Sequence, residues 1–129
     1  MTPEEMKQRT KQFALRIIRL VESLPQTKSA DVIGKQLLRS GTSVGANYRA
    51  SCRAKSPADF ISKLAIVEEE ADKSIYWMEL LIEANIVKEN LLKSLIDETN
   101  QILSIIVSSI KTLKEKRNPK SEIPNPESI

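Results

Sequence analysis

The chain has 129 residues, enough for one domain with its own core and too few for two. With 40% hydrophobic, 29% charged and 4% aromatic residues, it can bury a core of Leu, Ile, Val and Ala, which excludes wholesale disorder. There is no His and a single cysteine, Cys52, which excludes an intrachain disulfide and a cysteine metal cage; the net charge of +3 excludes a uniformly polycationic protein.

The first predicted helix opens on Thr2, Pro3 and Glu5. Thr2 as N-cap, Pro3 at the first helical position and Glu5 three residues after the cap form a capping box. Its apolar stripe is Met6, Phe13, Ile17, Leu20 or Val21, and Leu24, and Pro25 ends it, because the residue before a proline is pushed out of helical geometry. The second helix is expected from about Ser29, with Ile33, Leu37, Val44 and Tyr48 on one face. Gly41 and Gly45 each cost about 1 kcal/mol there relative to Ala. They fall beside the stripe and read as places where another helix comes close; a break near Ser40–Gly41–Thr42 is the alternative.

Ser56, Pro57 and Asp59 repeat the opening signature, so a third helix begins there. Phe60, Leu64, Val67, Ala71, Ser74, Met78 and Leu81 keep the alternating four-and-three spacing of a bundle seam. After a linker over Ala84 to Lys88, a fourth helix from Glu89 to Lys116 is expected to bury Leu92, Leu95, Thr99, Ile102, Ile106, Ile110 and Leu113. No segment alternates strictly between apolar and polar residues, and neither Gly nor Pro occurs between Ala58 and Asn118. The expectation is an all-α, up-down-up-down antiparallel four-helix bundle over residues 1–117, with a disordered tail over 118–129.

Met1 to Arg19 includes Glu4 and Glu5 and lacks an unbroken apolar core, so it does not read as a signal peptide. The longest apolar stretch, Ile102 to Val107, is broken by Ser104 and falls far short of the ~20 residues that cross a bilayer. A cytoplasmic protein with no membrane partner is expected.

Four-helix bundles house di-metal sites built from inward carboxylates and two Glu-x-x-His motifs, and a chain with no His cannot build one. Glu68, Glu69, Glu70 and Asp72 fan out around their helix and read as a solvated face with ion pairs such as Glu69–Lys73. The glycines match neither a dinucleotide loop nor a P-loop, and Ser40, Thr42 and Ser43 have no general base beside them. Cys52 falls on the buried side of its helix and reads as packing. No catalytic residue, metal ligand or cofactor is expected: the chain reads as a non-enzyme.

Two surfaces exceed what a bundle requires. Met1 to Leu64 holds 12 Lys or Arg against 5 Asp or Glu, and the remainder 8 against 12, so +7 and −4 make up the net +3. On a wheel of ~100° per residue, Lys35, Arg39, Arg49 and Arg53 point within about 40° of one direction, opposite the apolar stripe. They form a cationic ridge roughly 27 Å long at ~1.5 Å per residue. Such a ridge suits a polyanion, since arginine forks match phosphate oxygens; the alternative is a solvated face paired with acids of a neighbouring helix or subunit. The second surface is apolar: Ile66, Trp77 and Leu80 lie about 100° or more from the core stripe of the third helix. Leu91 and Ile105 widen the apolar arc of the fourth. Surplus apolar surface of this kind marks self-association.

The run QLLRSGTSVGANYRASCRAKSPADFISKL from Gln36 to Leu64, with EEEADKSIYWMELLIEANIVKE from Glu68 to Glu89 and FALRIIRLVESLP from Phe13 to Pro25, resembles the 23S rRNA intervening-sequence proteins. The resemblance covers about residues 10–115, with Arg39, Ser43 and Asn47 matching a helix motif and Ala50 and Lys73 departing from the glutamate of many relatives. It implies a small bacterial helical bundle, typically a homopentamer. The family is also similar to the accessory variability protein of diversity-generating retroelements, which implies a basic surface for RNA or DNA and a protein client such as a reverse transcriptase. Two functions stay open: a homo-oligomeric nucleic-acid-binding accessory protein, and an oligomeric protein–protein interaction scaffold.

Overall fold

The structure, a computed structural model, describes residues 1–117; the tail expected over 118–129 lies outside the described residues. Four helices follow in order, α1 over Pro3–Glu22, α2 over Lys28–Ser51, α3 over Pro57–Glu83 and α4 over Glu89–Arg117. Their starts are set by side-chain oxygens that satisfy otherwise orphaned amides. The Glu5 amide donates to Thr2 Oγ1 at 3.1 Å while the Thr2 amide donates to Glu5 Oε1 at 3.0 Å, completing the predicted capping box. Thr27 accepts from the Ala30 amide and starts α2 one residue before the expected position. Ser56 accepts from the Asp59 amide at 3.1 Å to start α3.

The end of α3 has a device that the sequence reading passed over. Asn85 adopts φ 60°, the left-handed conformation that asparagine tolerates better than most residues. This turns the Asn85 amide onto the Ile82 carbonyl at 3.0 Å and the Ile86 amide onto the Leu81 carbonyl at 2.9 Å, a Schellman closure. Ile86 and Val87 then pack against the core, so the connection to α4 is itself anchored.

The helices form an up-down-up-down bundle in which α1 packs on α2, α2 on α3 and α3 on α4, while α1 and α4 touch least. Met6, Phe13 and Ile17 of α1, Leu37, Val44 and Tyr48 of α2, Leu64, Val67, Ala71, Met78 and Leu81 of α3, and Leu92, Leu95, Ile102, Ile106 and Ile110 of α4 make one buried core. These are the predicted stripes, with Ile33, Phe60 and Leu113 half-buried at their ends. Complete burial of each Leu, Ile or Phe contributes about 1.5–3 kcal/mol. The buried hydroxyls of Thr10, Ser51 and Thr99 donate to carbonyls of their own helices. Ser40 and Ser74 bridge α2 and α3 at 2.9 Å.

Helix α2 runs unbroken through Gly41 and Gly45, and the reason lies on α1. A Cβ on Gly41 would stand 2.8 Å from both Cγ atoms of Ile17, and one on Gly45 would stand 3.2 Å from Thr10 Oγ1. The glycines are where α1 lies against α2, and that contact sets the register of the pair. Two expectations fail. Cys52 is exposed, because α2 ends at Ser51 and Cys52 is its C-cap, where the wheel no longer governs direction. Lys73 pairs with Glu70 at 3.1 Å, not with Glu69; both carboxylates lie one turn back, within reach of the lysine.

Candidate functional site

Lys35, Arg39, Arg49 and Arg53 are all exposed, so the ridge on α2 stands free of the core. It does not act as one unit. Lys35 pairs with Asp31 one turn earlier, at 3.0 Å. Arg49 and Arg53 instead open into a furrow between α1 and α2 with a volume of about 410 Å³. Its other wall comes from α1 and carries Glu4, Lys7 and Lys11, while Ala14, Thr42, Gly45 and Ala46 line it with small side chains.

The antiparallel register fixed at Gly41–Ile17 and Gly45–Thr10 places the start of α1 beside the end of α2. On α1, Lys7 and Lys11 are one turn apart, as are Arg49 and Arg53 on α2, each pair spanning ~6 Å. Four cations thus face one acid, Glu4, which pairs with Lys7 at 3.1 Å. Among the described residues, Lys11, Arg49 and Arg53 have no acidic partner within the 4.0 Å of an ion pair. Sequence reasoning found Arg49 and Arg53 and missed Lys7 and Lys11. A one-helix wheel cannot show which cations a second helix brings alongside. The signal that could have found them is the Gly41–Gly45 spacing, had it been used to set α1 against α2.

On the opposite side of α1, one arginine is paired with an acid of α4 and another reaches a serine. Arg9 donates to both carboxylate oxygens of Glu98 at 2.8 Å, and also to Gln101 at 2.7 Å, while Arg16 reaches Ser94 at 3.0 Å. The Arg9 bond holds the Glu98 carboxyl below the ordinary glutamate range and raises the Arg9 guanidinium further. This clasp spans the α1–α4 seam and leaves neither charge for a ligand. At the end of the bundle nearest the furrow, burial pushes the Tyr48 phenol up to about 12, with the neighbouring Cys52 thiol adding to the effect.

The apolar candidates divide as well. Ile66 is 41% exposed, while Trp77 and Leu80 are half-buried. Trp77 is half-buried, with part of its ring packed against the core of its own chain. Its neighbour Tyr76 is 53% exposed and meets the Trp77 ring edge-on, with centroids 5.0 Å apart. On α4, Ile105 is also drawn onto the core, whereas Leu91 stays 68% exposed. Among the described residues, no group of three or more His, Cys, Asp or Glu is placed to hold a metal ion. Among the same residues no helix is long and apolar enough to cross a membrane.

Residues 4–108 match the family model described as 23S rRNA-intervening sequence protein. Among solved structures, the chain is similar to a protein of unknown function from the S23 ribosomal protein family of Bacteroides thetaiotaomicron VPI-5482. The two are 39% identical with a TM-score of 0.80, over 86% of this chain and 99% of that one. No curated protein sequence matches.

Proposed function

The chain belongs to the 23S rRNA-intervening sequence protein family, and from that premise we propose that it is a non-enzymatic, homo-oligomeric accessory protein of the cytoplasm that binds nucleic acid, RNA foremost. The observation that carries this reading is the two-walled furrow, where Lys7, Lys11, Arg49 and Arg53 face only one acid. Lysine and arginine that neutralise phosphates release condensed counterions, which supplies most of non-specific affinity. Four cations give weak binding on one subunit. Copies arranged about an axis, the five-membered ring that the resemblance implies, repeat the furrow and raise apparent affinity by linked occupancy. Ile66, with the partly open Trp77 and Leu80, is the surface assigned to that contact.

A second reading, a scaffold for a protein client, is favoured by the exposed edge of the Tyr76–Trp77 pair, since aromatics are enriched where proteins meet. A gel shift at low salt separates the two. Wild-type protein is expected to retain RNA, and Arg49→Glu with Arg53→Glu to lose it with helicity and subunit number unchanged. Undiminished retention by the double variant, or none by the wild type, leaves the scaffold.

A further inference from the structure

We propose that the furrow holds one nucleic-acid strand by its sugar–phosphate backbone with the bases turned outward, and that the protein thereby promotes annealing of complementary strands. This rests on the nucleic-acid reading above and adds an activity to it.

Three observations carry the inference. The first is size. Packed helix axes stand ~8–10 Å apart, and the approach here is as close as Gly41 and Gly45 allow, so the furrow between them accepts a single chain. A duplex, whose major groove alone is ~12 Å wide, does not enter it. The second is charge placement. Lys7 and Lys11 on one wall and Arg49 and Arg53 on the other reach a backbone lying along the furrow from both sides. The third is the absence of any platform for bases. No aromatic residue lines the furrow. Phe13 is buried, Tyr48 and Phe60 line a separate pocket at the end of the bundle that shares only Lys7 with the furrow, and Tyr76 and Trp77 lie on α3, no residue of which lines the furrow. Proteins that sequester single strands stack bases on aromatic rings; here the favourable contacts are to phosphate alone.

A strand held in this way keeps its pairing edges in water while its charge is neutralised. A bare strand carries one negative charge per ~3.4 Å, and repulsion between two such strands slows their encounter. Neutralising one or both removes that barrier and leaves nothing to be peeled off the bases before pairing. Once the duplex forms it no longer fits the furrow and is released, so the protein acts repeatedly. Nothing in this requires a 2′-hydroxyl, so the furrow holds RNA and DNA strands alike, and the preference for RNA proposed above rests on the family.

The test uses the full chain with complementary oligonucleotides, of RNA and separately of DNA, carrying a fluorophore and a quencher. Binding to each single strand and to the preformed duplex is measured in parallel by fluorescence anisotropy. The annealing rate is expected to rise roughly tenfold or more at low salt, the scale of electrostatic rate effects, and to return to the protein-free rate at high salt. Lys11→Gln with Arg49→Gln is expected to lose most of that gain. Strands that are bound but anneal no faster, or more slowly, overturn the inference and leave nucleic-acid binding intact. A duplex bound at least as tightly as a single strand also overturns it. Failure to bind either strand overturns both readings together.

Discussion

Replacing Gly41 by Ala tests the closest contact between α1 and α2. In a solvated helix the change would stabilise by about 1 kcal/mol, since Ala is the better helix former. Here the new Cβ would lie 2.8 Å from Cγ1 and Cγ2 of Ile17 and 3.2 Å from its Cβ. Ile17 is fully buried, and a β-branched side chain in a helix has essentially one χ1 rotamer, so it cannot swing aside. Overpacking of this kind costs about 1–3 kcal/mol. Taking the upper part of that range against the propensity gain, Gly41→Ala is expected to destabilise by ~2 kcal/mol, or roughly 6–10 °C in Tm. Ile17→Ala alone loses about 2–5 kcal/mol as a cavity forms, but it removes both offending atoms. In that background Gly41→Ala should turn stabilising by ~1 kcal/mol, a coupling of ~3 kcal/mol between the two sites. Urea unfolding followed by far-UV circular dichroism on the four proteins measures the cycle. An equal effect of Gly41→Ala in both backgrounds, or a stabilising effect in the wild type, would refute the close-packing account and the register built on it.

Acidification tests the α1–α4 clasp. Glu98 titrates below its ordinary value of 4.5 in the folded chain, so its contribution is complete above that value and is lost as pH falls through the lowered one. Tm should therefore decline on acidification, and Glu98→Gln should flatten part of the decline, leaving what Glu5 and Asp59 supply through Thr2 and Lys63. A pH profile identical in the variant refutes the role of the clasp. Self-association is tested by light scattering: Ile66→Lys with Leu80→Lys is expected to shift the mass toward monomer with helicity retained, and a wild type already monomeric at high concentration contradicts the interface.

The bundle was legible because its signals are local. Caps such as Thr2–Glu5 and Ser56–Asp59 act over three residues, and the stripes from Met6 to Leu24 and from Phe60 to Leu81 repeat at helical spacing, so a window of the chain contains the whole signal. Features that depend on two helices at once were only half legible. Arg49 and Arg53 are visible on one wheel, but Lys7 and Lys11 become their partners only when Ile17 meets Gly41 and Thr10 meets Gly45. For Trp77 the wheel gives the direction of the Cβ, away from the stripe, and not how much of a large ring also packs on the core. Cys52 was misread because a wheel extended past Ser51 assumes a helix that has already ended.

The furrow itself is tested most directly by the salt dependence of single-strand binding. Each phosphate contact contributes about 0.7 to the slope of log K against log salt, so four contacts give ~2.8 per occupied furrow. Lys11→Gln with Arg49→Gln, one cation from each wall, is predicted to lower the slope by ~1.4 and to weaken binding alike for all sequences. Lys35→Gln with Arg39→Gln removes the same charge from α2 outside the furrow and is predicted to change the slope far less. A larger loss from the second pair than from the first would place the strand along α2 alone, and an unchanged slope in the first pair would contradict the furrow as the binding site.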